Sequence, residues 1–325
     1  GLDNNNDGYY YDYDNNGKIE LYSMEERPLL ITMSGTGTEN SPYIINSYEE
    51  LKQVSYDLSK YYKLNTDIDL SGKDSLMLSS GSNPFTGTFI GSNKNINNVR
   101  IIGVNNVGLF GYNSGNIKGI RLNNVYIKGY SNVGVISGTN DGTEIGFWLK
   151  NSINVDGYDY VAGAVGYNTG TIKSLILEGN VSGLNDLGLV VGYNNNSISD
   201  VVVEGNVSGT GARIGGIVGY NNGELKGVYR SGDVSTTYTG NYHYTDKAIG
   251  YFNSGTVSVV TLDASKVTRG TNVTTPISDN LSSSIGYTTD EEGMKNIAIY
   301  EQVLDTYIGL DNNNDGYYYD YDNNG

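Results

Sequence analysis

The chain has 325 residues, no cysteine and a formal net charge of -16. That charge argues against a nucleic-acid partner, since phosphate backbones demand Lys and Arg, and the missing thiols leave no disulfide or thiol chemistry. Gly is abundant at 45 and Pro rare at 4, a composition of many tight turns between short strands. No apolar run of about 18 residues is available to span a membrane. Neither a signal peptide nor an anchoring signal is read, so the sequence is taken as a fragment of a longer protein.

Residues 1–17, GLDNNNDGYYYDYDNNG, carry the strongest chemical signal. Asp3, Asn5 and Asp7 place oxygen donors at the first, third and fifth positions of an EF-hand-type loop. Gly8 permits the sharp turn, Tyr9 offers its backbone carbonyl, and Asp14 closes the twelfth position in place of the usual Glu. An overlapping loop starts at Asp12 and adds Asp14, Asn16 and Glu20. Ca2+ takes six to eight hard oxygen ligands, which is what such an order supplies. A flexible acidic linker is the plainer alternative, but the ligand order with four carboxylates per copy favours calcium. Residues 1–33 are read as this linker and the end of a preceding module.

A capping box, Ser47 with Glu50 three residues on, opens a helix expected near 47–58, with Leu51, Val54 and Leu58 on one face. A strand-like run follows at 61–70. A Gly-Tyr-Asn signature then recurs at Gly111, Gly166, Gly192 and Gly219, with degenerate copies at Gly138 and Gly250. The glycines are spaced 27, 28, 26, 27 and 31 residues apart. A period in this range is the mark of a solenoid. In the representative repeat 161–186, Val161–Tyr167 reads as one apolar strand, Thr171–Leu177 as a β-branched second, and Gly179–Gly183 as a short third. The expected fold is therefore all-β: a right-handed parallel β-helix of three-strand, 27-residue rungs with short helical caps at both ends. Its recurrent Asn are expected at the corners, with side chains able to hydrogen-bond along a ladder, and Tyr112, Tyr167, Tyr193, Tyr220 and Tyr251 are expected to stack.

The one long spacing holds an inserted loop with Tyr238, Tyr242, His243 and Tyr244, the candidate residues for stacking on a sugar. A second capping box at Thr289–Glu292 opens a closing helix expected near 289–303. The solenoid module is assigned to 34–308. Residues 309–325 then repeat the opening seventeen, a tandem period of 308 residues. This copy offers Asp311, Asn313, Asp315, Tyr317, Asp320, Asp322 and Asn324 as ligands.

The runs PYIINSYEELKQVS, YYKLNTDIDLSG, FTGTFIGSNKNINNVRI and VGLFGYNSGNIKGI resemble the GLUG-motif β-helix modules of large bacterial surface proteins, including the non-catalytic parts of IgA-protease-type enzymes. TTDEEGMKNIAIYEQVLDTYIGLD and Pro28-Leu29-Leu30 resemble the end of that module, although the acidic linker here separates the two. The resemblance covers about 34–308 and implies a β-helix on a cell surface or secreted; it points to no particular ligand. The overlapping acidic loops resemble thrombospondin type 3 and dockerin calcium repeats.

Catalysis finds little in the sequence. One histidine cannot build a His-ligated zinc site, and neither an HExxH nor a GxSxG motif occurs. Asp141, Asp156, Asp159, Asp186 and Asp200 do not share one place in the rung and are read as solvated corners rather than a lyase cluster. The expected function is a structural or adhesive module that is not an enzyme. Its partners would be neighbouring copies of itself, with a host or environmental glycan or protein as a further candidate. A carbohydrate-binding module, or less favourably a polysaccharide-cleaving enzyme, are the alternatives.

Overall fold

A computed structural model describes residues 8–11, 20–23, 33–239, 244–263, 267–268 and 285–288. The body is a parallel β-solenoid of about 7 turns with rungs about 27 residues apart and little helix. Its strands fall into three sheets. The long face stacks Thr143–Asp156, Thr171–Gly183 and Ser197–Gly209, with shorter strands above and below. The second face stacks short strands such as Asp159–Ala162 and Asn185–Gly188. The third stacks the signature strands, among them Val165–Asn168, Val191–Asn194 and Val218–Asn221.

The rung has three strands, as the sequence implies, but they divide differently. The expected strand Val161–Tyr167 is two strands turned at Gly163 and Ala164, and the expected second and third strands are one, Thr171–Gly183. The turn is sharp because small, fully buried Ala164 sits at it. The long strand holds together because every residue from Thr171 to Gly183 finds a register partner one rung on, apart from Ser174.

Ser174 marks a corner. It lies at the same rung position as Gly119, Gly146, Asp200, Gly227 and Val259, and all six have left-handed backbone, φ between 53 and 77°. Gly adopts this freely, whereas a β-branched residue there is strained. Val259 is also exposed, so its side chain gains little from packing. Val259→Asn is expected to raise stability by about 1 kcal/mol, read by thermal unfolding, because Asn tolerates the left-handed region. A second left-handed column runs through Asn106, Asn132, Tyr160, Asp186 and Arg213 on the second face. One rung is longer than its neighbours, and its extra residues bulge out at Asn151 and Ser152, where the register shifts.

The core is one continuous cluster running from Ile45 to Leu262. No rung could bury its apolar face alone; stacking at about 4.8 Å buries each against the next. Inside this core the recurrent Asn form the ladder that their spacing allows. Asn113, Asn140, Asn168, Asn194 and Asn221, the last residue of each signature, are fully buried and point inward rather than sitting at exposed corners. Each amide donates to the next: 2.8 Å from Asn113 to Asn140, 2.9 Å to Asn168, 2.8 Å to Asn194 and 2.8 Å to Asn221. The same side chains tie the following turn, as when Asn168 Nδ2 donates to the Gly170 carbonyl.

At the amino end, helix α1 (Tyr48–Lys52) continues as a 3₁₀ turn, Gln53–Tyr56, slightly short of the expected 47–58. Ser47 Oγ accepts from the Glu50 amide at 3.2 Å, and the Glu50 carboxylate accepts from the Asn46 amide, so the capping box forms with its return bond one residue earlier. Leu51 and Val54 are buried and close the lower end of the core. The closing helix expected near 289–303 lies outside the described residues.

Candidate functional site

The calcium candidates lie mostly outside the described residues. Asp3, Asn5, Asp7, Asp12, Asp14 and Asn16 do so, as do Asp311, Asn313, Asp315, Tyr317, Asp320, Asp322 and Asn324. Tyr9 and Glu20 fall in two short strands, Gly8–Tyr11 and Glu20–Ser23, which pair antiparallel with Tyr9 opposite Tyr22 and Tyr11 opposite Glu20. As a donor set, Asp and Asn side chains with a backbone carbonyl are hard oxygens and fit Ca2+. Among the described residues, no group of three or more His, Cys, Asp or Glu is placed to hold a metal.

Of the inserted-loop candidates, Tyr242 and His243 lie outside the described residues. Tyr238 donates its amide to Thr236 Oγ1 at 3.1 Å. Tyr244 packs edge-on against Tyr251, ring centroids 4.8 Å apart, and so joins the outer tyrosine ladder.

That ladder runs up the third face. Tyr167 and Tyr193 stack at 4.8 Å and 8°, Tyr193 and Tyr220 at 4.7 Å and 16°, and Tyr220 meets Tyr251 at 4.9 Å in a tilted pair. Tyr112 is set apart from it by Thr139 in the degenerate rung. The stacked rings turn their faces to one another, as parallel strands in register require. Edges and hydroxyls are left for solvent, and Tyr193 Oη accepts from Asn222 at 2.7 Å. A sugar that binds by stacking needs a free ring face, which the middle of this ladder does not present.

Tyr160 meets Tyr167 and Tyr193 edge-on from the second face. Beside it Asp186 and Arg213 form a bidentate pair, both bonds 2.5 Å. Asp186 is only 1% exposed, so it is not the solvated corner the sequence suggests. Burial pushes its carboxyl upward against the opposing pull of Arg213, and the bond to Asp186 in turn raises the guanidinium. Asp200 is likewise buried, with Lys173 at 3.6 Å. Of the rest, Asp141 is exposed, Asp156 pairs with Lys128 at 3.1 Å and Asp159 accepts from Asn185 at 2.9 Å. Arg213→Ala leaves a buried carboxylate without its cation, and is expected to cost about 3 kcal/mol at pH 7 by chemical denaturation. The loss should shrink as pH falls and the Asp186 carboxyl, raised by its burial, takes up a proton instead.

Sequence reasoning missed two buried charged side chains. Arg230 takes an inward position that Val203 and Leu262 hold in adjacent rungs, and donates to the carbonyls of Gly232, Gly205 and Asp233. Glu144 stands where adjacent rungs have Ile117 and Ile172. Laying the rungs over one another by the signature glycine would have exposed both as breaks in an apolar column.

The chain is 31% identical over 138 residues, 38% of its length, to halomucin of Haloquadratum walsbyi (strain DSM 16790 / HBSQ001). The aligned stretch spans 2% of halomucin's length. No family model matches the chain, and no solved structure matches it. No helix among the described residues is long and apolar enough to cross a membrane.

Proposed function

We propose that this chain is a module of a long extracellular or cell-surface protein, in which solenoid rods alternate with acidic joints stiffened by Ca2+. The observation that carries the reading is that an identical seventeen-residue acidic segment opens and closes a chain whose rungs share one core. A solenoid is a rod by construction, because each rung touches only its neighbours. It can therefore set a distance, and a tandem array of such rods sets a longer one.

The joints would hold the ion through Asp3, Asn5, Asp7, Tyr9, Asp12, Asp14, Asn16 and Glu20, and through the matching set from Asp311 to Asn324. Ca2+ there would offset the repulsion among the carboxylates. Those same residues, without the ion, repel and loosen the joint. The likeness to halomucin, a mucin by name, supports an extracellular setting. So does the resemblance of 34–308 to GLUG-motif surface modules. Adhesion would then be a property of what the rods present, and catalysis has no part in the reading.

Calorimetric titration of the whole chain with Ca2+ tests the joints. Binding is expected in the wild type, with a higher melting temperature in calcium. Both should vanish when Asp3, Asp7, Asp311 and Asp315 are changed together to Ala. Equal heats from the two proteins would show that the acidic segments are spacers and not calcium joints.

A further inference from the structure

We propose that the outer side of the long face carries a groove for a neutral, linear polysaccharide. The inference goes beyond the rod reading and does not depend on the calcium joints. On the second half of the long strands, register stacks Tyr126, Asn154, Asn180 and Asn206 in one outward column. Lys128, Asp156, Ser182 and Ser208 stack beside it in a second. All of these but Lys128 line a depression of about 310 Å³, the size of a small-ligand site.

Its chemistry points to sugar. A pyranose ring presents hydroxyls at its edge and C–H groups on its faces. Asn side chains supply both donors and acceptors, and Ser hydroxyls either one. Asn180 Oδ1 accepts from the Asn206 amide at 3.1 Å, while its own Nδ2 has no partner among the described residues. Tyr126, 38% exposed at one end of the groove, adds a flat apolar surface with a polar tip. Arg100 of the preceding rung lies over its ring at 5.7 Å, and on the other side its column continues with the shorter Asn154 and not with another ring.

Charge narrows the ligand. Asp156 is engaged by Lys128 at 3.1 Å and by Ser182 Oγ at 3.0 Å, which leaves the groove locally neutral. The net charge of -16 repels uronates, sulfated chains and nucleic acids. Val155 and Val181 complete the lining, and the Asn and Ser groups between them would be left unpaired under the apolar face of a peptide helix. Because the amides recur at about 4.8 Å over successive rungs, the site suits an extended chain better than a single sugar.

Affinity electrophoresis of the whole chain tests this, in gels containing hydroxyethylcellulose, galactomannan, glycol chitin or polygalacturonate. Retardation is expected with at least one of the three neutral polymers and not with polygalacturonate. It should persist in EDTA, which separates the groove from the joints. Tyr126→Ala should weaken it at least five-fold. Asn180→Asp, an isosteric change at an exposed position, should do the same, and it keeps the test open if Tyr126→Ala fails to fold. Absence of retardation by every neutral polymer, undiminished retardation in folded variants, or stronger retardation by polygalacturonate would each overturn the proposal.

Discussion

The stability of this chain is expected to fall as pH rises from about 4.5 to about 8, and Glu144→Gln is expected to remove that fall. Glu144 is fully buried in a column of the core otherwise made of Phe89, Ile117, Ile172, Ile198, Leu225 and Val257. Its Oε1 accepts from Ser137 Oγ at 2.7 Å and from Asn113 Nδ2 at 3.4 Å, while Oε2 has no hydrogen-bond partner. Two donors favour the charged form, but desolvation outweighs them and raises the carboxyl to about 8.

The folded state therefore holds a proton that the unfolded state has released over that interval. A group raised on folding contributes stability in full below its unfolded value and loses it as pH climbs to the folded one. One proton corresponds to about 1.4 kcal/mol per pH unit, so the loss reaches the order of 5 kcal/mol by pH 8. Denaturation midpoints at pH 5, 7 and 9 read it directly. Wild type and Glu144→Gln should nearly coincide at pH 5 and separate progressively toward pH 9. Parallel curves would show that Glu144 is solvated or paired in solution. Glu144→Ile should behave similarly, since it restores the apolar column.

The second large effect concerns the interior amide ladder. Asn168→Leu is expected to cost about 3 kcal/mol or more, although Leu is apolar and the site is inside the core. The change removes the acceptor of Asn140 Nδ2, the donor to Asn194 Oδ1 and the donor to the Gly170 carbonyl. Each buried polar group left without a partner costs about 1–3 kcal/mol. Asn221 ends the ladder, because Phe252 follows it in register. Asn221→Leu should therefore cost less than Asn168→Leu. Exposed Asn206→Ala should stay within about 0.5 kcal/mol. Equal losses at 168 and 221 in urea unfolding would mean that the amides act singly and not as a chain.

Much of this architecture is legible in the sequence because a solenoid repeats its instructions. The spacing of the signature glycines gives the rung, and the register confirms it residue by residue, from Tyr167 on Tyr193 to Asn194 on Asn221. The Ser47–Glu50 box gives the amino-terminal cap for a local reason, since both bonds lie within one helical turn. Which way a polar residue points is much harder to read. An Asn facing inward is tolerable because its N–H finds an acceptor, which for four of the five is the next Asn, one rung away and some 27 residues distant in sequence. The same holds for Asp186, whose burial depends on Arg213 in the next rung. A left-handed corner is equally obscure, since Ser174, Asp200 and Val259 share it with glycines. The acidic joints are legible as ligand order alone, and their geometry lies outside the described residues.

The most direct test of the account is electron microscopy of several copies of this chain joined in tandem through the repeated acidic segment, with Ca2+ and after chelation. Each solenoid body of about 7 turns should measure roughly 30–35 Å along its axis at about 4.8 Å per turn. In Ca2+, the array should form straight rods whose length grows by a fixed increment per module, and chelation should bend the joints while the segments stay intact. Compact particles in Ca2+, or joints equally flexible with and without it, would contradict the rod-and-joint account.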